Sequence, residues 1–365
     1  MAYSTNTAAE ANDLLDKIRA FLLAQGWTID AFIDDNTTYR TPAAAYTTGK
    51  RLHIRKTDAD GQTMYFNLRS AKGHAVFENS DDTTLADGKY EFELHGIGIN
   101  GSTGAYSGAA AWDKQSGYTQ CDNTASYGAC LWCEGTVDYW INQVGDSVNI
   151  IVEDATGKFS YVSFGSLKKD GAGEYDGGMF FSGSFCSYQP WFQYNWNSQE
   201  GYAGLFSQSF STPMTVLFGS MATGVIYVDG LDSITNWIAN TEEGGDIYNE
   251  GNDQTIASVF SGCSPAFAGI SEARLMNLSA LATMGGPNNL ASITPMYSIY
   301  AFALHIVNKQ LRFLGSVEGI RQISMDAIDN KEEFTLGGDT WKCFPARGRD
   351  CTHPWGIPGF AILIS

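Results

Sequence analysis

Cysteine is the residue type with the most evident capacity for chemistry in this chain, which holds seven copies. Cys130 and Cys133 have the Cys-x-x-Cys spacing of zinc ribbons and of thioredoxin-like redox sites. A zinc ribbon needs a second close pair, whereas seven residues separate Cys343 from Cys351. A redox site needs the motif at the start of a helix, but the surrounding sequence is rich in Gly, Thr and Ser. We therefore predict no bound metal, and thiols that are buried or that oxidise late.

A glycine-rich segment, GIGING at residues 96–101, matches the G-x-G-x-x-G pattern of dinucleotide-binding sites. Such a site needs a helix directly after the glycines, and residues 102–108 (STGAYSG) cannot begin a regular helix. His95 and Gly96 also match the start of an esterase oxyanion loop, but the chain has no G-x-S-x-G nucleophile elbow. The segment therefore predicts a mobile glycine loop that binds no cofactor.

Neither the histidines nor the carboxylates form a recognisable catalytic set. The five histidines (53, 74, 95, 305 and 353) lack a metal-binding spacing such as H-x-x-x-H, and isolated histidines on strands are usually structural. Carboxylate pairs of the kind that hydrolyse glycosides meet in space, so a sequence alone leaves them open. The carboxylate pairs that stand close together in the sequence are Asp34 with Asp35, Asp81 with Asp82, Glu91 with Glu93, and Glu242 with Glu243. The residues around each pair predict a loop or a solvated strand face. We predict a protein that is not an enzyme.

The most informative local feature is an aromatic stretch within residues 185–210. Its rings alternate with Gln, Asn and Ser, and they are Tyr188, Trp191, Phe192, Tyr194, Trp196 and Tyr202. Flat aromatic side chains bury a large area at low entropic cost, which suits a subunit interface. The same composition would also stack on sugar rings. The absence of a catalytic set nearby favours the interface.

The elements that would position these residues belong to a chain of 365 residues that is poor in charge and rich in aromatics. Charged residues make up 17% of the chain, aromatic residues 13%, and glycines number 40, a balance typical of all-β proteins. The formal net charge of −18 opposes binding to phosphate backbones and to anionic lipid, so we expect no direct nucleic-acid contact. The basic segment at residues 50–56 predicts a solvated strand. No apolar run reaches membrane-spanning length, and the polar residues 1–10 predict no signal peptide.

An amphipathic helix is predicted at about residues 8–25. Thr7 and Glu10 have the spacing of a capping box, and Gly26 suits the position after the helix end. The apolar positions that follow a period of 3.6 form one stripe, which must dock onto the next domain or onto another subunit. The candidate interface residues on this stripe are Leu14, Ile18, Phe21 and Leu22.

After Trp27 the apolar period falls to two, which predicts strands. The predicted strands include residues 28–33, 50–57, 63–70, 89–95, 147–153, 159–164, 179–182, 214–218, 225–228 and 360–364, with a hairpin turn at 58–61 and a second helix at about 272–281. We predict a mainly β (α+β) fold with a sandwich-like β-sheet body and long Gly- and aromatic-rich loops, where residues 96–135 and 185–210 are insertions. The predicted domains are a helix at 1–27, a β-rich domain at 28–184 and a β-rich second half at 185–365.

Several Gly- and aromatic-based motifs resemble those of virion structural proteins of tailed bacteriophages. They are SYVSFGSLKK at residues 160–169, EYDGG at 174–178, FSGS at 181–184, GGDTWKCFP at 337–345 and GFAI at 359–362. The proteins that this sequence resembles occur in neck, collar, tail and baseplate assemblies. The resemblance covers about two thirds of the chain, outside the two insertions, and none of its motifs is catalytic.

The resemblance implies a β-rich subunit of a ring-like homo-oligomer, with no cofactor and no enzymatic role. Its partners would be copies of itself and other phage neck or tail proteins. It would be synthesised in the host cytoplasm and reside in the virion. Thiols could then oxidise after particles leave the reducing cell, and the candidates are Cys121, Cys130, Cys133, Cys186, Cys263, Cys343 and Cys351. Two alternatives stay open: a receptor- or carbohydrate-binding virion protein and a virion-associated glycan hydrolase.

Overall fold

A computed structural model describes the backbone of twenty segments of the chain. They are residues 1–34, 47–59, 61, 63–74, 94–102, 106, 129–133, 135–155, 157, 159–169, 179–183, 206–208, 213–215, 225–227, 237–238, 258–260, 296–305, 310–325, 328–345 and 358–365. Strands predominate within these residues and one helix is found among them, so the prediction of a mainly β fold is confirmed.

The described elements are one helix and twenty strands. In chain order they are β1 (Ala2–Ala8), α1 (Ala11–Ala24), β2 (Thr28–Ile33), β3 (Thr47–Thr57), β4 (Thr63–His74), β5 (Leu94–Ser102), β6 (Ala129–Trp132), β7 (Val137–Val144), β8 (Ser147–Glu153), β9 (Phe159–Ser166), β10 (Met179–Gly183), β11 (Phe206–Gln208), β12 (Pro213–Thr215), β13 (Val225–Tyr227), β14 (Trp237–Ile238), β15 (Ser258–Phe260), β16 (Met296–His305), β17 (Gln310–Ser324), β18 (Glu333–Leu336), β19 (Asp339–Pro345) and β20 (Pro358–Leu363).

The strands form three large antiparallel sheets and one short pair. The central sheet has seven strands in the order β1-β7-β8-β9-β10-β13-β14, and a five-stranded sheet follows the order β2-β3-β4-β5-β6. A six-stranded C-terminal sheet has the order β15-β16-β17-β20-β19-β18, and β11 pairs with β12. Most neighbours in the first two sheets are also neighbours in sequence, as is usual for antiparallel sheets.

One face of the central sheet packs against α1 and the five-stranded sheet in a single hydrophobic core. Trp27, which follows the helix, lies between the two sheets: its ring centroid is 5.9 Å from that of Phe66 and 5.6 Å from that of Phe164. Its indole Nε1 donates a buried hydrogen bond of 3.0 Å to Oε1 of Gln143. The core therefore joins residues that are more than a hundred positions apart in the sequence.

The other face of the central sheet packs against the C-terminal sheet. The ring of Phe344 lies 4.8 Å from Trp140 and 5.9 Å from Phe159, and Phe360 lies 5.1 Å from Tyr161. The Tyr161 hydroxyl also donates a hydrogen bond to the carbonyl of Pro345. Because both faces of the sheet are covered, all eight residues of β9 are buried. In a strand with one solvent-exposed face, buried and exposed residues would alternate instead.

Helix α1 begins later than the capping-box pattern predicts. Thr7 belongs to β1, and the N-cap residue Glu10 makes no side-chain capping bond. Instead, the carboxylate of Asp13 accepts a hydrogen bond of 2.8 Å from the backbone N–H of Ala9. The pairing of β1 with β7 through Ala8 holds Thr7 extended, and the helix cannot start there. At the other end Gly26 has a φ of +80°, which suits the glycine expected after the helix.

The glycine-rich segment at 96–101 is a core strand, so the prediction of a mobile loop and of an insertion starting at 96 is wrong. Ile97 and Ile99 of β5 have no exposed surface and lie in the hydrophobic core. A Cβ atom at Gly96 would collide with the backbone carbonyl of Leu131 in β6. Glycine is required there because two strand backbones approach closely, and that use of glycine is indistinguishable in sequence from a ligand loop.

The hairpin and most of the predicted strands that fall on described residues are confirmed, with small shifts at their ends. Thr57 pairs with Thr63 across the predicted turn, and β8 has the predicted bounds. Residues 89–93, the helix at 272–281 and the aromatic stretch at 185–205 lie outside the described residues. The three-part domain division stays a prediction, although β1 pairs along its whole length with β7 of the central sheet.

Candidate functional site

Strand β1 forms one edge of the central sheet and is the described feature best suited to contact another molecule. Among the strands that the structure describes, its one neighbour is β7, and the seven residue pairs from Ala2 to Ala8 run without a bulge. The sequence AYSTNTA contains no charged residue and no proline. Natural edge strands usually carry lysine, proline or a bulge, which prevent another strand from pairing with them.

Strand β18 forms one edge of the C-terminal sheet. Burial raises the pKa of Tyr3 in β1, a hydrogen bond with Thr5 lowers it, and the carboxylate charge of Glu333 in β18 adds a smaller rise. Lys342 on the neighbouring strand β19 pairs with Glu333 at 2.8 Å and offsets this charge. We refer to β1 and β18 together as the β1–β18 edge.

The β1–β18 edge can add a strand from another chain. The outward N–H and C=O groups of an edge strand can bind an incoming strand in the manner of β-augmentation. In β1 the N–H of Thr7 already donates a hydrogen bond of 2.8 Å to Oδ1 of Asn6, which an incoming strand would have to replace if it paired there. At the tip of the β18–β19 hairpin, Leu336 is 50% exposed. The edge therefore offers backbone hydrogen bonds and little charge.

Sequence reasoning missed β1 entirely. Tyr3, Thr5 and Thr7 alternate along it, and these residue types favour strands, so the period-two signal was present in residues 2–8. The capping-box pattern that ends the same segment points to a helix start, and this conflicting signal obscured the strand.

A second polar site lies on the face of the five-stranded sheet that points away from the core. Arg51, His53, Asn67 and Arg69 alternate along β3 and β4 with the core residues and are each less than 5% exposed. The Nδ1 atom of His53 donates a hydrogen bond of 2.7 Å to Oδ1 of Asn67. The ring of Tyr106 lies 4.3 Å from the imidazole centroid.

The electrostatics of this site keep His53 neutral at pH 7. Burial, and to a lesser degree the charge of Arg51, lowers the pKa of His53 to about 4, whereas the hydrogen bond to Asn67 raises it. A neutral ring explains the single donated hydrogen bond. His53 Nε2 and Asn67 Nδ2 have no hydrogen-bond partner among the described residues. His53 is buried and bonded to Asn67, and the structural role expected from its isolated position in the sequence stays a prediction.

The prediction that residues 50–56 form a solvated strand is wrong for Arg51 and His53, which are buried. Because both faces of β3 are covered, the basic side chains that alternate along this strand cannot all be exposed to solvent. The remaining basic groups are held by carboxylates: Lys50 Nζ lies 2.6 Å from Asp16, Arg55 Nε lies 3.0 Å from Asp30, and Lys56 Nζ lies 2.9 Å from Asp146. This segment is therefore engaged within the chain.

The predicted helix interface is also corrected by the structure. Leu14, Ile18 and Leu22 have no exposed surface, and Phe21 packs against the same core. The apolar stripe of α1 therefore docks onto this chain's own sheets, and a side chain without accessible surface cannot contact a second subunit.

Two of the seven cysteine side chains are described, and both are buried free thiols, Cys133 and Cys343. Burial raises the pKa of each to about 12. Neither thiol is placed to form a bridge to a neighbouring subunit, because Cys343 has no exposed surface and Cys133 is 3% exposed. The late-disulfide prediction stays open for the other five candidates, whose side chains lie outside the described residues.

The aromatic residues from Tyr188 to Tyr202 lie outside the described residues, as do the carboxylate pairs apart from Asp34, which is 3.6 Å from Lys50. Within the described ranges, no group of three or more His, Cys, Asp or Glu side chains is arranged to hold a metal ion. The helix found there is too short to cross a membrane. Comparison with known proteins gives no match to a protein family and no match to a curated protein.

Proposed function

We propose that this chain is a non-enzymatic structural subunit of a tailed-phage particle, in the neck, collar, tail or baseplate, and that it assembles as a homo-oligomer. The observation that carries the proposal is the uncharged strand β1, which lies at the edge of the central sheet among the strands that the structure describes. In a chain with a net charge of −18, copies of the protein repel one another over most of their surface. An edge with no charge is where that repulsion is smallest.

The three packed layers support the same proposal. Residues of the central sheet bind the C-terminal sheet through partly buried hydrogen bonds, such as Asn142 Nδ2 to the carbonyl of Gly319 at 2.7 Å and to that of Leu363 at 2.9 Å. The isolated pairing of Lys168 with Ser316 adds two backbone hydrogen bonds between the same layers. A rigid body of stacked sheets is a suitable unit for a symmetric assembly.

Negative-stain electron microscopy of the purified chain tests the proposal. The expected result is closed rings or short tubes with one discrete subunit number. Images that contain only particles the size of a single chain would contradict it.

The two alternatives have their own tests. A receptor- or carbohydrate-binding role predicts binding to a glycan array that is lost in Trp191→Ala and Trp196→Ala variants. A hydrolytic role predicts a cleared band on a zymogram that a single carboxylate substitution abolishes. The proposed structural role predicts a silent array and a blank gel.

A further inference from the structure

We infer that strand β1 pairs with β1 of a second copy of this chain, antiparallel and centred on Thr5, so that two central sheets join into one continuous sheet. The inference rests on the proposed function and names the partner of the β1 edge. Its evidence is the geometry and charge of β1 and of the neighbouring strand β18.

Symmetry restricts the register of such a pairing. Two identical antiparallel strands in one sheet are related by a two-fold axis perpendicular to it, and opposed residues then lie on the same face. Because side chains alternate between faces, the numbers of two opposed residues must add up to an even total. Centring the axis on Thr5 pairs all seven residues of β1, from Ala2 opposite Ala8 to Thr5 opposite itself.

The side chains opposed in this register are compatible. Tyr3 lies opposite Thr7 of the second copy, and Ser4 lies opposite Asn6. Aromatic–threonine and hydroxyl–amide pairs are favourable across strands, and no like charges meet. Thr5, Asn6 and Thr7 are exposed in the single chain, so their surface is free to be covered.

The one nearby carboxylate does not oppose this contact. Glu333 lies at the Tyr3 end of the strand and is paired with Lys342. The two copies of Tyr3 lie on opposite sides of the axis, about 14 Å apart at ~3.4 Å per residue. That separation exceeds the screening length of about 8 Å at physiological ionic strength, so repulsion between the two Glu333 groups is small.

A contact of this kind closes on itself and joins subunits in pairs. A ring that contains it needs a second, different contact around the ring and therefore holds an even number of subunits. The β1 contact joins the two halves of such an assembly.

Complementary charge variants test the pairing. T5D/T7D and T5K/T7K each place like charges opposite and diagonal to one another across the axis, and each variant alone is expected to weaken pairing about tenfold. An equimolar mixture of the two variants brings opposite charges together and is expected to restore the mass of the wild-type assembly. Light scattering measures the mass, and circular dichroism checks that each variant is folded.

The matched controls T28D/T57D and T28K/T57K add the same charges at two exposed strand threonines of the five-stranded sheet. They are expected to leave the wild-type mass unchanged. A wild-type oligomer that T5D/T7D and T5K/T7K do not weaken would overturn the β1 pairing and leave the proposed function standing. A wild-type chain that is monomeric at every concentration would overturn both.

Discussion

The side-chain amide of Asn149 donates a hydrogen bond of 2.8 Å to Oδ1 of Asn142 on the neighbouring strand, where neither residue has any exposed surface. Asn149 also donates to the carbonyl of Glu318 at 2.9 Å, and it accepts a bond of 2.8 Å from the hydroxyl of Ser163. Together with the bonds from Asn142 to the C-terminal sheet, these contacts form a polar ladder between two layers. Each side chain of the ladder is a hydrogen-bond partner of the next, so the ladder specifies how the two layers are aligned.

Asn142→Ala should destabilise the protein by about 2–4 kcal/mol, because it removes the side-chain donor to the half-buried carbonyls of Gly319 and Leu363 and one of the two acceptors of the Asn149 amide. Urea denaturation followed by intrinsic fluorescence measures the free energy of unfolding. Asn330→Ala, at an exposed turn position, is the control and should change it by less than about 0.5 kcal/mol. Equal effects of the two substitutions would mean that the ladder does not stabilise the packing of the layers.

Two adjacent leucines of α1 test whether the helix docks onto its own chain. Leu22 has no exposed surface and Leu23 is 60% exposed. Leu22→Ala should therefore cost about 2–5 kcal/mol of unfolding free energy, whereas Leu23→Ala should cost less than about 0.5 kcal/mol. The difference between the two unfolding free energies should be the same at low protein concentration, because it does not depend on contacts between subunits. If Leu22→Ala changed the oligomeric mass but not the stability, the stripe would contact another subunit instead.

His53 should make stability depend on pH. Its pKa in the folded chain is about 4, below the ordinary value of 6.5, so the unfolded chain binds a proton that the folded chain excludes. Above pH 6.5 the titration of His53 therefore leaves the free energy of unfolding at its full value. As the pH falls from 6.5 towards 4, protonation of His53 in the unfolded chain lowers this free energy by up to about 1.4 kcal/mol per pH unit.

His53→Gln removes this titration and keeps an amide that can donate to Asn67. Between pH 4 and 6.5 its unfolding free energy should fall less steeply than that of the wild type, as measured by urea denaturation at a series of pH values. Parallel curves for the two proteins, or an imidazole NMR titration centred near pH 6.5, would contradict the predicted pKa.

Cys133 and Cys343 should resist alkylation in the native protein. Both are buried, and a pKa of about 12 leaves almost no thiolate at pH 8. Iodoacetamide labelling followed by peptide mass spectrometry should find both sites unmodified in buffer and fully modified in urea. Native labelling of either thiol at the rate seen in urea would show that its surroundings open readily.

Local patterns in the sequence predict individual elements well. Residues 147–153 combine β-branched residues with a preceding Gly-Asp turn, and they form β8 with the predicted bounds. The helix is predicted from its 3.6 period and from Gly26. These elements are determined by residues within a few positions of one another, so they can be predicted from a single sequence.

The layers could not be predicted in the same way. Asn142 and Asn149 have polar side chains of the kind expected on a solvated strand face, yet their partners in the C-terminal sheet lie 169 to 221 positions away along the chain. The burial of Arg51 and His53 likewise depends on a second covered face of β3. The candidate site has the same origin, because the position of β1 at the edge of the described central sheet depends on the order in which seven strands pair.

The absolute mass of the purified wild-type chain, measured by light scattering over a range of concentrations, tests the proposed assembly most directly. We expect one discrete mass that is an even multiple of 39.7 kDa. A discrete odd multiple would exclude the β1 pairing but not a homo-oligomeric subunit. A constant mass of 39.7 kDa at every concentration would contradict the proposed function itself.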